Sequence, residues 1–230
     1  MFDGRWRTTF ESGLRPVGAH IRRTGVTADH LTVTGLVAAV AAAGAIANGA
    51  LRAGLVLLVL AALLDMLDGA VAKASGTATA RGAFFDSVTD RVSDALLLGG
   101  VAWYLASTQP GRVAILPLAV LASSMLVSYE RARAESLGFN ARGGLMERAE
   151  RLVVLGFGLL FESLLVPVLW AMLVLTLLTA VQRFTRVWVQ ASAPAVQPLT
   201  VRWRSRRVAR RSSQRSWRRR VAGQRRPRLR

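Results

Sequence analysis

The sequence predicts an all-α, polytopic membrane protein with about six transmembrane helices, and three observations support this prediction. Hydrophobic residues make up 52% of the 230-residue chain, and its mean hydropathy is positive. A membrane-crossing helix needs about 20 mostly apolar residues, and several windows reach about that length. Basic residues cluster in alternate connections between these windows. We place the spans near 31–50, 54–74, 83–106, 114–133, 148–164 and 166–187.

The distribution of basic residues predicts the orientation of these spans. Arginine and lysine are frequent before residue 24, between 73 and 81, between 131 and 151, and in the tail. The alternate connections hold only Arg52 and Arg112. Because positive residues remain on the cytoplasmic side of a membrane, we expect a multi-pass protein of the cell membrane with both termini in the cytoplasm.

The first 30 residues form a juxtamembrane segment that contains no continuous apolar run, so they do not resemble a cleavable signal peptide. Within 4–24, apolar residues alternate with arginines at roughly helical spacing, which predicts an amphipathic helix on the membrane surface. A solvated N-terminal arm is the alternative. We assign residues 31–188 to the transmembrane domain.

The C-terminal segment 189–230 differs from the rest of the chain in charge. Fourteen arginines and no acidic residue lie between 201 and 230, and they supply most of the net charge of +18. Such a segment cannot bury enough apolar surface to fold alone, so we expect a disordered cytoplasmic tail. Attraction to anionic lipid headgroups is its expected effect, whereas nucleic-acid binding is a weaker interpretation, since any polycation attracts phosphates.

The scarcity of sulfur and imidazole limits the kind of metal site the chain could form. There is no cysteine, which excludes disulfides, thiolate ligands and thiol nucleophiles. His20 and His30 are the two histidines, and neither lies near other candidate ligands. Carboxylate ligands remain, and they favour Mg²⁺ or Mn²⁺.

Five aspartates lie between residues 65 and 94, in or beside spans that ought to exclude them. Two are three residues apart at the inner end of the second span, and three are each four apart at the start of the third. Each set therefore lies along one helix face. Ionisable groups at membrane depth are costly and usually functional. The residues are Asp65 and Asp68 in the first set, and Asp86, Asp90 and Asp94 in the second.

Two antiparallel helices joined by a short cytoplasmic loop would bring four of these carboxylates around one small volume. Their repulsion would be relieved by one or two divalent ions, which can also activate an oxygen and stabilise charge on a phosphoryl group. The alternative is that the aspartates pair with Lys73, Arg81 and Arg91 as capping and topology charges. For Asp94 the functional and structural interpretations are evenly balanced.

The aspartates belong to a longer pattern that resembles the signature of the CDP-alcohol phosphotransferases. Seven of eight fixed positions match, and the exception is Lys73, where the family normally has arginine. Lysine keeps a charge near the phosphates of the nucleotide but loses the planar fork of arginine. The pattern is Asp65-x2-Asp68-Gly69-x2-Ala72-Lys73-x8-Gly82-x3-Asp86-x3-Asp90.

The resemblance implies six transmembrane helices, usually a homodimer, and two divalent metals held by Asp65, Asp68, Asp86 and Asp90. It also implies that Asp90 deprotonates the acceptor hydroxyl, whose oxygen attacks the lipid-bearing phosphate of CDP-diacylglycerol as CMP leaves. The residues that we expect to contact the CDP-lipid are Asp29, Thr32, Gly69, Lys73 and Gly82.

Over most of 24–187 the chain is similar to one branch of that family, the actinobacterial phosphatidylinositol-phosphate synthases. The similarity lies in the segments 26–32, 82–87, 128–135 and 147–151. It implies transfer of the phosphatidyl group to inositol 1-phosphate. Three features depart from the branch: Arg131 stands where it usually has lysine, Ala28 stands where it usually has proline, and the basic tail is an addition.

A phosphorylated acceptor requires a cationic pocket, and arginine suits phosphate because its fork makes paired, charge-assisted hydrogen bonds. Arg148 and Arg151, three apart, can share a helix face, whereas Arg131 and Arg133 cannot unless the helix has already ended. The alternative is that these arginines only set the topology. The residues predicted to bind the acceptor phosphate are Ser128, Arg131, Arg133, Arg148, Arg151 and Arg183.

Three other functions are compatible with parts of the sequence. Phosphatidylglycerophosphate synthesis is the nearest, because glycerol 3-phosphate also needs a basic pocket. A cation transporter could use intramembrane carboxylates as an ion path, although their spacing with interleaved glycine and alanine favours the enzyme. A catalytically weakened membrane anchor acting through its basic tail is the third, motivated by Lys73.

Overall fold

The computed structural model describes residues 27–75, 79–141 and 143–192, with the side chains of 73–75 left out. The predicted N-terminal surface helix and almost all of the basic tail lie outside these residues. The described part is all-helical, which confirms the predicted fold class. Its helices are α1 (Ala28–Ala47), α2 (Leu51–Ser75), α3 (Ala80–Thr108), α4 (Ile115–Ser136), α5 (Arg148–Leu160) and α6 (Leu165–Ser192), with a 3-10 helix (Glu162–Leu164) before α6.

Four segments of the described residues are long and apolar enough to cross a membrane. They are Ala28–Ala47, Leu51–Ala72, Ile115–Ser136 and Glu162–Ser192. Helix α3 has 29 residues but carries five charged side chains in its first half, and α5 has only 13 residues. The chain is therefore a multi-pass membrane protein, and the count of six spans stays a prediction.

Polar caps fix where α1 and α3, two of the helices that form the predicted site, begin. The Thr27 side chain accepts a hydrogen bond from the backbone N–H of His30 at 3.3 Å, and the backbone N–H of Thr27 donates to His30 Nδ1. Thr79 accepts from the backbone N–H of Gly82 at 3.1 Å. Each cap satisfies a donor that the first helical turn leaves without a partner. The cap on α3 places Asp86 two turns from the start of the helix.

Helix α1 packs against both α2 and α3, and its backbone closely approaches that of α3. A Cβ atom added at Gly100 would lie 2.6 Å from the carbonyl oxygen of Ala43, which real side chains do not tolerate. Only glycine therefore allows the two backbones to meet there. The core beside this crossing includes Ile46, Val101 and Leu105, all buried. This apolar half of the bundle is the rigid support for the charged half.

Candidate active site

Three carboxylates meet where α2 ends and α3 begins. Asp65, Asp68 and Asp86 each offer an oxygen, and these three oxygens lie within 4.8 Å of one another. Asp68 is buried, with 5% of its surface exposed, and the other two are half-buried. The predicted juxtaposition of the two helix faces is therefore present for these three aspartates, and the cluster is defined here as the carboxylate cluster.

A hydroxyl from α1 orients the most buried carboxylate of the cluster. Thr32 Oγ1 donates to Asp68 Oδ2 at 2.6 Å, and both residues are buried. A hydrogen bond to a carboxylate is among the stronger kinds in proteins, so it holds one Asp68 oxygen toward α1. Thr32 thus supports the cluster directly. Asp29, which the sequence pairs with Thr32 as a candidate lipid contact, lies one turn earlier on α1 and is exposed.

The two candidate glycines lie beside the cluster in open surroundings. An added Cβ at Gly69 would meet no atom within 4 Å, and one at Gly82 would meet only Thr79 Oγ1, at 3.4 Å. Neither glycine is therefore required by helix packing. The backbone of both is close enough to the surface for a ligand to approach. The side chain of Lys73 lies outside the described residues.

The fourth predicted ligand, Asp90, lies one turn beyond Asp86 and shares an arginine with the cluster. Arg148 Nη1 donates to Asp65 Oδ2 at 2.6 Å and lies 2.8 Å from Asp90 Oδ1. The second contact is an ion pair without hydrogen-bond geometry. Asp90 Oδ1 is buried and has no hydrogen-bond partner among the described residues. Its other oxygen lies 3.7 Å from Arg91. The contacts of Asp90 with these two arginines are therefore ion pairs.

Asp94 forms a buried ion pair one turn deeper than Asp90. Its Oδ2 lies 3.0 Å from Arg151 Nη2, and each of the two residues is only 5% exposed. Its Oδ1 lies 3.5 Å from Arg148 Nε. The two arginines therefore lie on one face of α5, as their spacing predicts, and both reach the same carboxylate.

The donor set of the carboxylate cluster fits a divalent cation. All the candidate ligand atoms are carboxylate oxygens, which are the ligands that Mg²⁺ and Mn²⁺ prefer. The oxygens already converge, and the buried Asp90 Oδ1 beside them lacks a hydrogen bond. Positive charge is needed to stabilise so many carboxylates at membrane depth, and Arg148 supplies one such charge.

A cleft beside Asp65 of the cluster extends into the helix bundle. Its polar end is formed by Asp65, Thr89, Ser93 and Arg148, and its remaining wall is apolar and includes the small residues Gly35 and Ala39. The sequence prediction missed Thr89 and Ser93. Their spacing of three from Asp86 and from Asp90 places them on the same helix face, and this signal could have identified them.

Arg183 is buried, and its hydrogen bonds join three parts of the chain. Its guanidinium donates to the carbonyl oxygens of Val127 at 2.9 Å and Gly143 at 3.3 Å, and to Glu147 at 3.1 Å. With 3% of its surface exposed, it ties α4 and the segment before α5 to α6. These contacts give Arg183 a structural role in the described conformation.

The other candidates for the acceptor phosphate lie on α4, which continues to Ser136. Arg131 and Arg133 therefore point in different directions. Arg131 is partly exposed and pairs with Glu135 at 3.1 Å, whereas Arg133 is exposed. Ser128 donates to the carbonyl oxygen of Ser124 at 2.9 Å. The structure thus brings Arg148 and Arg151 to the carboxylates and gives no contact between the α4 candidates and the cluster.

Comparison with known proteins finds one family that matches most of the chain. The family model described as CDP-alcohol phosphatidyltransferase matches residues 25–188. An archaetidylinositol phosphate synthase from Methanothermobacter thermautotrophicus is 40% identical over 72% of this chain and 85% of that protein. The region matched by the family model, residues 25–188, includes every candidate site residue named above.

Two similar solved structures come from Mycobacterium tuberculosis. Both are crystal structures of phosphatidylinositol phosphate synthase, with 34% identity and a TM-score of 0.72 over 80% of this chain. The first, with CDP-DAG bound, is covered over 97% of its length, and the second, in complex with manganese and citrate, over 92%. The similarity in fold and sequence thus extends to proteins crystallised with a CDP-lipid and with a divalent metal.

Proposed function

We propose that this chain, which belongs to the CDP-alcohol phosphatidyltransferase family, transfers the phosphatidyl group of CDP-diacylglycerol to inositol 1-phosphate. The observation that carries the proposal is the convergence of Asp65, Asp68 and Asp86 within 4.8 Å, beside a cleft that also contains Arg148. A cation transporter would have no need of an arginine at this place, since its charge opposes cation entry.

A divalent cation, Mg²⁺ or Mn²⁺, would be held by Asp65, Asp68 and Asp86, with Asp90 adjacent, and would supply positive charge against the phosphoryl oxygens. The inference of two metals comes from the family resemblance. Thr32 keeps the Asp68 carboxylate in position at 2.6 Å. A manganese complex of a similar protein supports the choice of metal.

The reaction that we propose is a single displacement at phosphorus. The acceptor hydroxyl oxygen forms a bond to the lipid-bearing phosphorus, the bond from that phosphorus to the CMP oxygen breaks, and CMP leaves. Asp90 takes the hydroxyl proton, because its Oδ1 is buried beside the cluster and accepts no hydrogen bond among the described residues. Its ion pair with Arg148 keeps the carboxylate in place before the proton moves.

Arg148 and Arg151 are the arginines best placed to bind a phosphorylated acceptor. Arg148 lines the cleft, and both guanidinium groups reach Asp94 from one face of α5. A phosphate in the cleft could receive charge-assisted hydrogen bonds from Arg148. We also propose the homodimer, the cell-membrane location and the cytoplasmic orientation that the sequence predicts, and cysteine labelling on either side of the membrane would test the last of these.

The test is transfer from labelled CDP-diacylglycerol by the purified protein with Mg²⁺ or Mn²⁺. The acceptors are inositol 1-phosphate, glycerol 3-phosphate, free inositol and serine. We expect CMP release and a phosphorylated lipid product with inositol 1-phosphate, and a loss of at least about a thousandfold in the variant Asp86→Asn/Asp90→Asn. Activity that survives this double substitution would exclude the proposed chemistry. Faster transfer to glycerol 3-phosphate would change the acceptor and leave the reaction class intact.

Gly69→Ala provides a matched test of the CDP-lipid site. Since an added Cβ meets open space, and alanine is a better helix former than glycine by about 1 kcal/mol, we expect unchanged or slightly greater thermal stability. If the nucleotide approaches the backbone there, the KM for CDP-diacylglycerol rises about tenfold while the KM for the acceptor stays constant. An unchanged KM for the lipid would remove Gly69 from the site.

A further inference from the structure

Arg148 contacts three carboxylates that differ in what a bound cation would do to them. Its Nη1 lies 2.6 Å from Asp65 Oδ2 and 2.8 Å from Asp90 Oδ1, and its Nε lies 3.5 Å from Asp94 Oδ1. Asp65 belongs to the carboxylate cluster and Asp90 adjoins it. A cation bound there would take up these oxygens and repel the guanidinium. Asp94 lies outside the cluster and would keep its charge available.

Asp94 divides its two oxygens between two guanidinium groups. Oδ2 is 3.0 Å from Arg151 Nη2, and Oδ1 faces Arg148 Nε at 3.5 Å. Arg148 Nε is buried and has no hydrogen-bond partner among the described residues. A movement of about half an ångström would bring this pair into hydrogen-bond range. The contact is therefore poised to shorten once Nη1 is released from Asp65 and Asp90.

We propose that Asp94 is a positioning residue that retains Arg148 beside the cleft when a divalent cation occupies the carboxylate cluster. Arg151 fixes the other Asp94 oxygen and so keeps the carboxylate from following the cation. Arg148 would then be anchored through Nε, with its Nη atoms available to a phosphate in the cleft. This inference rests on the proposed metal centre and does not depend on which alcohol is the acceptor.

A competition follows from this arrangement, and it can be measured without any substrate. Arg148 and the divalent cation share Asp65 and Asp90, so removing Arg148 should tighten cation binding. Removing the Asp94 charge should have the opposite effect, because Arg148 then has only the shared carboxylates to pair with. The second effect should require Arg148, and a double-mutant cycle isolates this dependence.

The experiment measures Mn²⁺ affinity by electron paramagnetic resonance of the free ion, with full-length protein in detergent. We expect Arg148→Gln to bind Mn²⁺ at least about fivefold more tightly than the wild type and Asp94→Asn about fivefold more weakly. In the Arg148→Gln background, Asp94→Asn should change the affinity by less than about twofold. Glu150→Gln is the charge-matched control, because it removes a carboxylate on α5 that forms no ion pair with the described residues, and it should change the affinity by less than about twofold.

The outcomes separate this inference from the proposed function. A wild type that binds no Mn²⁺ would overturn the metal centre and the inference together. A wild type that binds Mn²⁺, with Asp94→Asn weakening binding by the same factor in both backgrounds, would overturn the inference alone, since the effect would then be simple charge loss. An unchanged affinity in Asp94→Asn would overturn it as well.

If Asp94→Asn does not fold, a second double-mutant cycle, with Arg151→Gln in its place, tests the same inference. Arg151→Gln gives both Asp94 oxygens to Arg148 and leaves that carboxylate paired. We expect tighter Mn²⁺ binding in Arg151→Gln only when Arg148 is present. Equal factors with and without Arg148 would contradict the positioning role.

Discussion

The regions around Arg148 and Arg183 each hold a guanidinium inside the helix bundle, but its partners differ. Arg148 faces three side-chain carboxylates, whereas Arg183 donates to two backbone carbonyl oxygens and one carboxylate. A bound cation can replace a guanidinium that faces side-chain carboxylates. A cation cannot replace hydrogen bonds that join backbone segments of α4, the segment before α5 and α6. We therefore expect Arg148 to give way to a bound cation and Arg183 to hold the helices together.

Removal of Arg183 is expected to give the largest effect on folding. Arg183→Met leaves Glu147 and two carbonyl groups without their buried donor, which should lower the free energy of unfolding by about 3–5 kcal/mol. Thermal unfolding in detergent, with and without Mn²⁺, measures the change. Added Mn²⁺ should not restore the loss. A variant that melts like the wild type would show that Arg183 is not the attachment point inferred here.

A smaller and metal-dependent effect is expected for Arg148. Arg148→Gln leaves Asp65 and Asp90 without their cation, so the metal-free protein should be less stable by about 1–3 kcal/mol. Mn²⁺ at a hundred times its dissociation constant adds about 2.7 kcal/mol to any protein that binds it only when folded. Melting in EDTA and in Mn²⁺ should therefore show a larger gain in the variant than in the wild type at equal Mn²⁺ concentration. Equal gains would remove the distinction between the two arginines.

The smallest effect on stability is expected for Arg131, a partly exposed arginine of α4. Arg131 pairs with Glu135 at 3.1 Å, four residues along the helix, and both side chains are more than 40% exposed. Such pairs contribute about 0.3–0.5 kcal/mol, so Arg131→Ala should melt within about 2 °C of the wild type. If Arg131 binds the acceptor phosphate, the KM for inositol 1-phosphate rises about fivefold while the KM for the lipid is unchanged. Glu135→Ala is the matched control, with no change in either KM.

The carboxylate cluster could be predicted from the sequence because the spacing of aspartates fixes the helix face. Spacings of three and four specify a face without any knowledge of the partner helix. A short connection between α2 and α3 then brings the end of one helix close to the start of the next. The start of α3, predicted near 83 and found at Ala80, and the break between the last two helices, predicted near 165 and found at Glu162–Leu164, could be predicted in the same local way.

Contacts between distant segments could not be predicted, because periodicity gives a face but not what covers it. Thr32 lies 36 residues before Asp68, Asp94 lies 57 before Arg151, and Val127 lies 56 before Arg183. Each contact depends on how two helices rotate and cross, and that depends on close approaches such as Gly100 against Ala43. The sequence therefore grouped Arg183 with Arg148, and the structure separates them by their partners.

The shortness of α5 has a consequence for the lipid around the protein. Its 13 residues span about 20 Å, whereas the hydrocarbon core of a bilayer is about 30 Å thick. The helix ends beside the exposed Glu162, which requires a polar interface. If α5 lies along the bilayer normal from this interface, Arg148, at its other end, lies about 10 Å beneath the opposite surface. Local thinning of the bilayer, at fractions of a kcal/mol per ångström, would then bring lipid headgroups to the depth of the carboxylates.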